Sequence, residues 1–274
     1  MDAVLLSVNL ISAAAAPIRV SNVLTRYARA IGLYRNWWDV YLNRFKHPTE
    51  AQTTYRLRSG ETFVLGDGIF EARVLNEIWA DKAYEPTPDF VIKSGWNVID
   101  AGAHKGIFAV RAARAGARVV ALEPEPLNYA ALRYNLELNQ CGRARALDAA
   151  LWSEAGEAVL HYFGGDASTN FSLVLGADDG STEVVKTVTL QSLVEQMGRV
   201  DLLKLDIEGA EIAVLKSTPP ETLQHIDRIV LDYYIEDAPG EGEGMALEIE
   251  SLLTPLGFEC TIQHKGCIFY AVRK

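Results

Sequence analysis

The chain has 274 residues, 49% of them hydrophobic and 23% charged, with Gly 21 and Pro 10. This is the composition of an ordinary folded protein and excludes a disordered, collagen-like or disulfide-stapled one. The formal charge is −10, from 26 basic and 36 acidic residues, which argues against nucleic acid as the main partner, because phosphate binding rests on clustered Lys and Arg.

Met1 to Pro17 is mostly apolar or small, with no basic residue before Arg19, so it lacks the charged start of a secretory signal. It is also shorter than the roughly 20 apolar residues that span a bilayer. The expectation is a cytoplasmic protein with no membrane partner. The three cysteines, Cys141, Cys260 and Cys267, form no C-x-x-C pair and imply neither a disulfide framework nor a zinc site, in keeping with a reducing compartment.

Residues 18–47 predict one long helix. Val20, Leu24, Tyr27, Ile31, Tyr34, Trp38, Tyr41 and Phe45 recur at steps of three and four, with Arg26, Arg29 and Arg35 between them. The first 60 residues hold eight basic and three acidic residues, +5 against a total of −10, so the remainder carries −15. The aromatic stripe calls for a partner surface: the main domain, a second copy in a homodimer, or a substrate beneath a lid. The charges alone read equally as a solvated helix face.

Residues 53–58 and 61–65 alternate around Ser59-Gly60 and predict a hairpin. Asn76 to Tyr84 predicts a short helix, stopped before Pro86 and Pro88. From Trp96 strands and helices alternate. Strands are predicted at 97–100, 118–122, 144–147, 201–205 and 228–234, and helices at 105–115, 125–139, 208–217 and near 244–254. An antiparallel pair, 157–162 and 183–189, flanks a polar loop at 164–181, and 237–244 reads as an acidic, glycine-rich surface loop. The closing strands, 258–262 and 267–272, are joined too tightly for a parallel crossover and are expected to be antiparallel. The whole predicts an α/β fold, doubly wound, whose mostly parallel sheet is covered on both faces. Residues 1–85 form a helical and hairpin extension, and 86–274 the main domain.

The strongest chemical feature is V-I-D-A-G-A-H-K-G at 98–106, a strand running into a glycine turn that opens a helix. Glycine there allows close approach of a ligand, and ligands of open α/β sheets bind outside the carboxyl ends of the strands. The spacing, Gly102 to Gly106, departs from the G-x-G-x-x-G of dinucleotide sites. Asp100 at the strand tip would repel pyrophosphate but suits a ligand bearing an ammonium or sulfonium, a difference of about 1–4 kcal/mol. Glu123 ends the next strand, where an acid accepts the ribose hydroxyls of a nucleoside; Asp148, past the third strand, is placed to reach an adenine edge. The third feature is V-D-L-L-K-L-D-I-E-G-A-E at 200–211. Lys204 in an otherwise apolar strand needs a partner, and Asp206, Glu208 and Glu211 are the nearby acids. Glu208 and Glu211 also read as helix-start acids, or all three as a Mg²⁺ cluster that nothing else completes.

These three motifs, with Glu123-Pro124-Glu125-Pro126, Asn135, Asn139 and Ala150-Leu151-Trp152, resemble the FkbM-type S-adenosylmethionine-dependent methyltransferases over about residues 90–235. The resemblance implies a class I methyltransferase fold, Rossmann-like, with a seven-stranded sheet and an antiparallel seventh strand. It also implies S-adenosylmethionine as cofactor and usually a hydroxyl acceptor, although some similar proteins methylate amide nitrogens of peptide natural products. By it, Asp100, Gly102, Ala103, His104 and Gly106 fall on the cofactor loop, Glu123 with Pro124 on the ribose side, and Asp206, Glu208 and Glu211 on the active-site motif. One departure is that Leu231 to Glu236 lacks the His of the E-x-H-like pair the family often carries there.

The reaction expected is methyl transfer to a hydroxyl of a small molecule or carbohydrate-containing natural product, with transfer to an amide or amine as the alternative. Asp206 first, then Glu208, are the candidates to orient or deprotonate the acceptor; holding Lys204 and capping a helix are their structural alternatives. His104 reads as a binding or packing residue, and His47, His161, His225 and His264 are scattered, so no metal is expected. The tract 164–170 covers the cofactor or acceptor, or is an ordinary hairpin loop. An NAD-dependent oxidoreductase would need the missing third glycine, and a silent binding module stays open.

Overall fold

The computed structural model describes residues 31–43, 52–66, 69–162, 171–173, 181–233, 241–263 and 267–274. Predictions on residues 1–30, His47, tract 164–170, 234–240 and His264 lie outside them.

Short, apolar, β-branched segments build the centre. β3 (Asn97–Ala101), β4 (Arg118–Leu122), β5 (Ala144–Leu147), β10 (Leu202–Leu205) and β11 (Arg228–Asp232) pair in parallel, in the order β5-β4-β3-β10-β11. β12 (Phe258–Gln263) and β13 (Ile268–Arg273) complete seven strands, β13 lying antiparallel between β11 and β12. The closing pair is therefore antiparallel, as the short connection requires. The chain leaves the central strand β3 toward β4 and later returns to its other side with β10. The order thus reverses between them, and such a switch point leaves a crevice at the carboxyl ends.

Alternation along each strand sends residues to two different cores. Ile99, Ala101, Leu203, Leu205, Ile229 and Leu231 face α5 (Leu190–Met197), α6 (Glu211–Ser217), the short α7 (Pro220–Leu223) and α8 (Glu241–Leu253). Val98, Leu202 and Val230 face the other core, with α3 (Ile107–Arg114), α4 (Pro126–Leu138) and the N-terminal hairpin. That hairpin, β1 (Thr53–Arg56) and β2 (Thr62–Leu65), pairs Thr53 with Leu65 through Arg56 with Thr62. Its Tyr55, Phe63 and Leu65 share one apolar cluster with Phe108 of α3 and Leu132 of α4. The outer edge of β2 is closed by two side chains of α4. Asn135 Oδ1 accepts from the Val64 N–H (2.9 Å) and its Nδ2 donates to the Val64 carbonyl (3.2 Å). Asn139 does the same for Thr62 at 2.9 and 2.7 Å. An amide carries the same donor and acceptor as a peptide group, so two asparagines one helical turn apart replace a neighbouring strand.

A second, four-stranded sheet has the order β6-β9-β7-β8: β6 (Ala150–Leu151), β7 (Gly156–Tyr162), β8 (Phe171–Ser172) and β9 (Thr182–Val188). β7 and β9 are the predicted antiparallel pair, and β8 lies within the stretch predicted as loop 164–181. Among the described residues, no helix is long and apolar enough to cross a membrane.

Several elements differ from expectation. The single helix of 18–47 is broken within its described part: Tyr34 leaves it to bridge Leu57, and a new helix, α1 (Trp37–Asn43), follows. Arg35 N–H donates to the Arg56 carbonyl (2.7 Å), and Asn36 bonds both Thr54 and Arg56, so the hairpin edge wins over helical propensity. Tyr34 is buried while Ile31 and Trp38 are exposed, so the stripe is not one face. The helix predicted at 76–84 starts earlier, as α2 (Ile69–Asn76), and ends in a π turn at Glu77–Asp81 closed by Lys82 in the left-handed region. The helix predicted from 208 begins at Glu211. Residues 241–244, predicted as loop, open α8. The reading missed α5, although Thr189 caps it and Gly198 ends it around Leu190, Leu193, Val194 and Met197.

Candidate functional site

The glycine turn follows β3. Gly102 has φ +73°, and a Cβ there would lie 1.7 Å from the Asp206 carbonyl oxygen. The close approach that requires glycine on that side is protein to protein: the turns after β3 and β10 cross at van der Waals distance, which the sequence argument had attributed to a ligand. His104 takes φ +50° and directs its N–H to Glu123 Oε2 (2.7 Å). Gly106, at φ +85°, opens α3.

Asp100 and Lys204 are register partners on β3 and β10, on the face shared with the hairpin and α3. Lys204 Nζ stands 3.0 Å from Asp100 Oδ1 and 3.4 Å from Asp206 Oδ2, and donates to the Gly102 carbonyl at 3.1 Å. Burial pulls the Lys204 ammonium down, but the two carboxylates outweigh it and hold its pKa above the ordinary lysine value. Burial pushes the Asp100 carboxyl up, opposed by Lys204. One ammonium between two carboxylates leaves a net negative charge at the switch point. Asp206 differs from Asp100 in access: its side chain is 37% exposed, that of Asp100 0%.

Glu123 forms a second station, at the end of β4. Its Oε2 accepts from His104 N–H and its Oε1 from Glu125 N–H (3.0 Å). Glu125 in turn caps α4 through Asn128 N–H (2.6 Å). Glu123 is 1% exposed and makes no salt bridge among the described residues. Burial raises its pKa to about 8, against the two N–H groups that favour the charged form. A buried carboxyl without a cation calls for further hydrogen-bond donors.

The turn after β10 supplies the third. Glu208 takes φ +53° and Gly209 φ +96°, a tight reversal that keeps Glu208 exposed and outside the helix, contrary to the expectation of a first-turn residue. Its carbonyl accepts from Ser172 Oγ (2.7 Å), so β8 rests on this turn. Glu211 is buried and reaches back to the Ile207 N–H (2.9 Å); burial raises it to about 7. Its place is to brace the turn that presents Asp206.

The sequence candidates thus fall into three groups. Asp100, Gly102, Lys204 and Asp206 meet in one cluster. Ala103, His104, Glu123 and buried Pro124 line the neighbouring strand end. Glu208 and Glu211 build the turn beyond. Asp148 is exposed just past the end of β5, next to Leu147, whose carbonyl accepts from the Glu123 N–H (3.1 Å). Among the described residues no group of three His, Cys, Asp or Glu side chains could hold a metal ion. Sequence reasoning missed Tyr84, whose hydroxyl donates to Asp206 Oδ2 at 3.1 Å. Nothing local marks it; a tyrosine before a proline turn carries no catalytic signal.

A seven-stranded sheet of this order, with its antiparallel strand next to the last, is that of the class I methyltransferase fold. The FkbM methyltransferase domain matches residues 100–260, and the chain belongs to that family; it is a methyltransferase. It is 30% identical over 222 residues to methyltransferase sdnD of Sordaria araneosa, covering 69% of this chain and 82% of that protein. It is 24% identical over 211 residues to methyltransferase 1 of Beauveria bassiana, covering 68% and 80%. Among solved structures, a SAM-dependent methyltransferase from Aquifex aeolicus is 12% identical, with a TM-score of 0.41 over 72% of this chain and 90% of its own.

Proposed function

We propose that the chain transfers a methyl group from S-adenosylmethionine to a hydroxyl of a small molecule or carbohydrate-containing natural product. The donor fits the charges present. The cluster of Asp100, Lys204 and Asp206 is net negative, as a sulfonium beside it requires, and it would repel a pyrophosphate. Buried Glu123, which accepts from two N–H groups among the described residues, has acceptor capacity for the two hydroxyls of a ribose. The turn of Gly102, Ala103, His104 and Gly106 lies between these stations, with Pro124 beside Glu123 and Asp148 further along the strand ends. When bound, the cofactor supplies an electrophilic methyl carbon whose leaving group is a neutral thioether.

The observation that carries the acceptor reading is Asp206. One of its oxygens is fixed by Lys204 and Tyr84 while its side chain stays partly open. There it orients a hydroxyl by accepting its proton in a hydrogen bond, leaving an oxygen lone pair for the methyl carbon. A carboxylate is a weak base, which suffices for a hydroxyl, because the proton becomes acidic as the new carbon–oxygen bond forms. It does not suffice for an amide nitrogen, whose lone pair is committed to the carbonyl.

The test is incubation with S-adenosylmethionine ¹³C-labelled in its methyl group and a panel of polyols, methyl glycosides, hydroxy acids and amino-acid amides. The ¹³C spectrum separates O-methyl from N-methyl products. O-methylation is expected, and Asp206→Asn should lower its rate about a hundredfold. An N-methyl product overturns the acceptor; failure to bind S-adenosylhomocysteine in calorimetry overturns the donor.

A further inference from the structure

Tyr84 belongs to the N-terminal extension, outside the segment that matches the family, yet its side chain ends in the ion cluster. Its ring packs edge-on against Phe108, centroids 5.5 Å apart, and lies 5.2 Å from Lys204 Nζ. Packing alone would be served by phenylalanine; a buried hydroxyl needs a partner, and here that partner is Asp206. Burial first, then the Asp206 charge, lifts the phenol far above its ordinary range, so it remains a donor at every working pH. Tyr84 and Lys204 both engage Oδ2, leaving Oδ1 of this partly exposed carboxylate without a hydrogen bond among the described residues.

The segment carrying Tyr84 is held at both ends. Glu71 of α2 pairs with Lys105 of the glycine turn, and Glu85 pairs with Arg111 of α3 at 2.7 Å. Between them the π turn and left-handed Lys82 re-aim the chain toward the cluster. Such π turns are rare and concentrate at functional sites.

We infer that Tyr84 is a positioning residue for methyl transfer: its hydroxyl locks the Asp206 carboxylate so that Oδ1 alone faces the acceptor. The extension therefore completes the active site. This rests on the role proposed for Asp206.

The test compares Tyr84→Phe, Asp206→Asn, the double variant and Glu85→Gln. Glu85→Gln removes the charge of this anchor but keeps an amide oxygen that accepts from Arg111, so it weakens the fold nearby without displacing Tyr84 or touching Asp206. Kinetics use the panel hydroxyl compound turned over fastest, with S-adenosylhomocysteine binding by calorimetry and melting temperatures alongside. Tyr84→Phe should lower kcat at least about tenfold, the scale of one hydrogen bond to a charged group, with S-adenosylhomocysteine affinity unchanged. In the Asp206→Asn background the same change should have little further effect, and Glu85→Gln should lower the melting temperature while leaving kcat within about twofold. An acceptor-free readout is the ¹³C carboxyl signal of Asp206, assigned by its loss in Asp206→Asn. It should move in Tyr84→Phe and stay in Glu85→Gln. Additive losses, an unmoved signal, or equal damage from Glu85→Gln would overturn the inference. An Asp206→Asn enzyme with full activity would instead overturn the role of Asp206 itself.

Discussion

The two faces of the central sheet are lined by alternate residues of the same strands, yet they are made of different material. Toward α5, α6 and α8, strands β3, β10 and β11 present Ile99, Ala101, Leu203, Leu205, Ile229 and Leu231. Toward the hairpin and α3, β3 and β10 interrupt Val98 and Leu202 with Asp100 and Lys204, paired directly across the strands. Apolar burial stabilises both faces, at about 1.5–3 kcal/mol for each large side chain. A buried ion pair adds little net stability, because desolvation offsets its attraction. The ion pair is therefore not accounted for by stability, and its place at the carboxyl ends of the strands accords with the proposed site.

That contrast can be broken by substitution. Asp100→Asn leaves Lys204 with one carboxylate partner, the more distant and partly exposed Asp206, and should destabilise by about 3–5 kcal/mol in denaturant titration. Leu203→Ala, on the apolar face, should cost about 2–5 kcal/mol through its cavity. The two losses look alike but have different remedies. Replacing the pair together, Asp100→Leu with Lys204→Met, should return stability to within about 1–2 kcal/mol of the parent while abolishing methyl transfer. A double variant as unstable as Asp100→Asn would mean that the pair itself holds the fold.

Glu123 sharpens the comparison, being a buried acid with no salt bridge among the described residues. Its folded pKa of about 8 lies above the ordinary 4.5. Between those values the unfolded chain has lost a proton that the folded chain keeps, so stability falls as pH rises from about 4.5 to about 8. Glu123→Gln removes that share, so its stability relative to the parent should improve by about 2–4 kcal/mol from pH 5 to pH 8. Ribose hydroxyls would favour the charged form, so S-adenosylhomocysteine should bind the parent more tightly at pH 8 than at pH 6.5. Glu123→Ala should weaken that binding about tenfold; unchanged affinity would place the nucleoside elsewhere. The smallest effect is expected at Asn139→Ala, which unseats β2 at Thr62 and should cost about 1–2 kcal/mol. Hydrogen exchange should rise at the Thr62 amide and not in β10.

Much of the site was legible because parallel strands end where the polypeptide turns, and turns carry their chemistry locally. Asp100, Gly102 and Glu123 are read from strand tips and glycine spacing without any knowledge of neighbours. Lys204 was legible as an anomaly, a charge inside an apolar strand. Of the acids named for it, Asp206 is a partner; the closer one, Asp100, lies on the neighbouring strand and, like Lys204, stands two residues before its turn. Asp148 was placed by the same logic and stands, as expected, just past the end of β5, exposed on the edge strand of the parallel set. Glu208 was misplaced by three residues of helix, because a left-handed turn at a non-glycine residue leaves no signature in sequence.

Local periodicity and turn chemistry determined the parallel strands, their helices, the antiparallel closing pair and the acids at the sheet's carboxyl edge, since each depends on residues within a few positions. Only the tertiary structure decided that Tyr34 leaves its helix for the hairpin, that Asn135 and Asn139 stand in for a strand, and that Tyr84 reaches Asp206 from 122 residues away. Those outcomes depend on which surfaces meet after the chain has folded, and a hydrogen bond across such a separation is set by packing rather than by any neighbour in sequence.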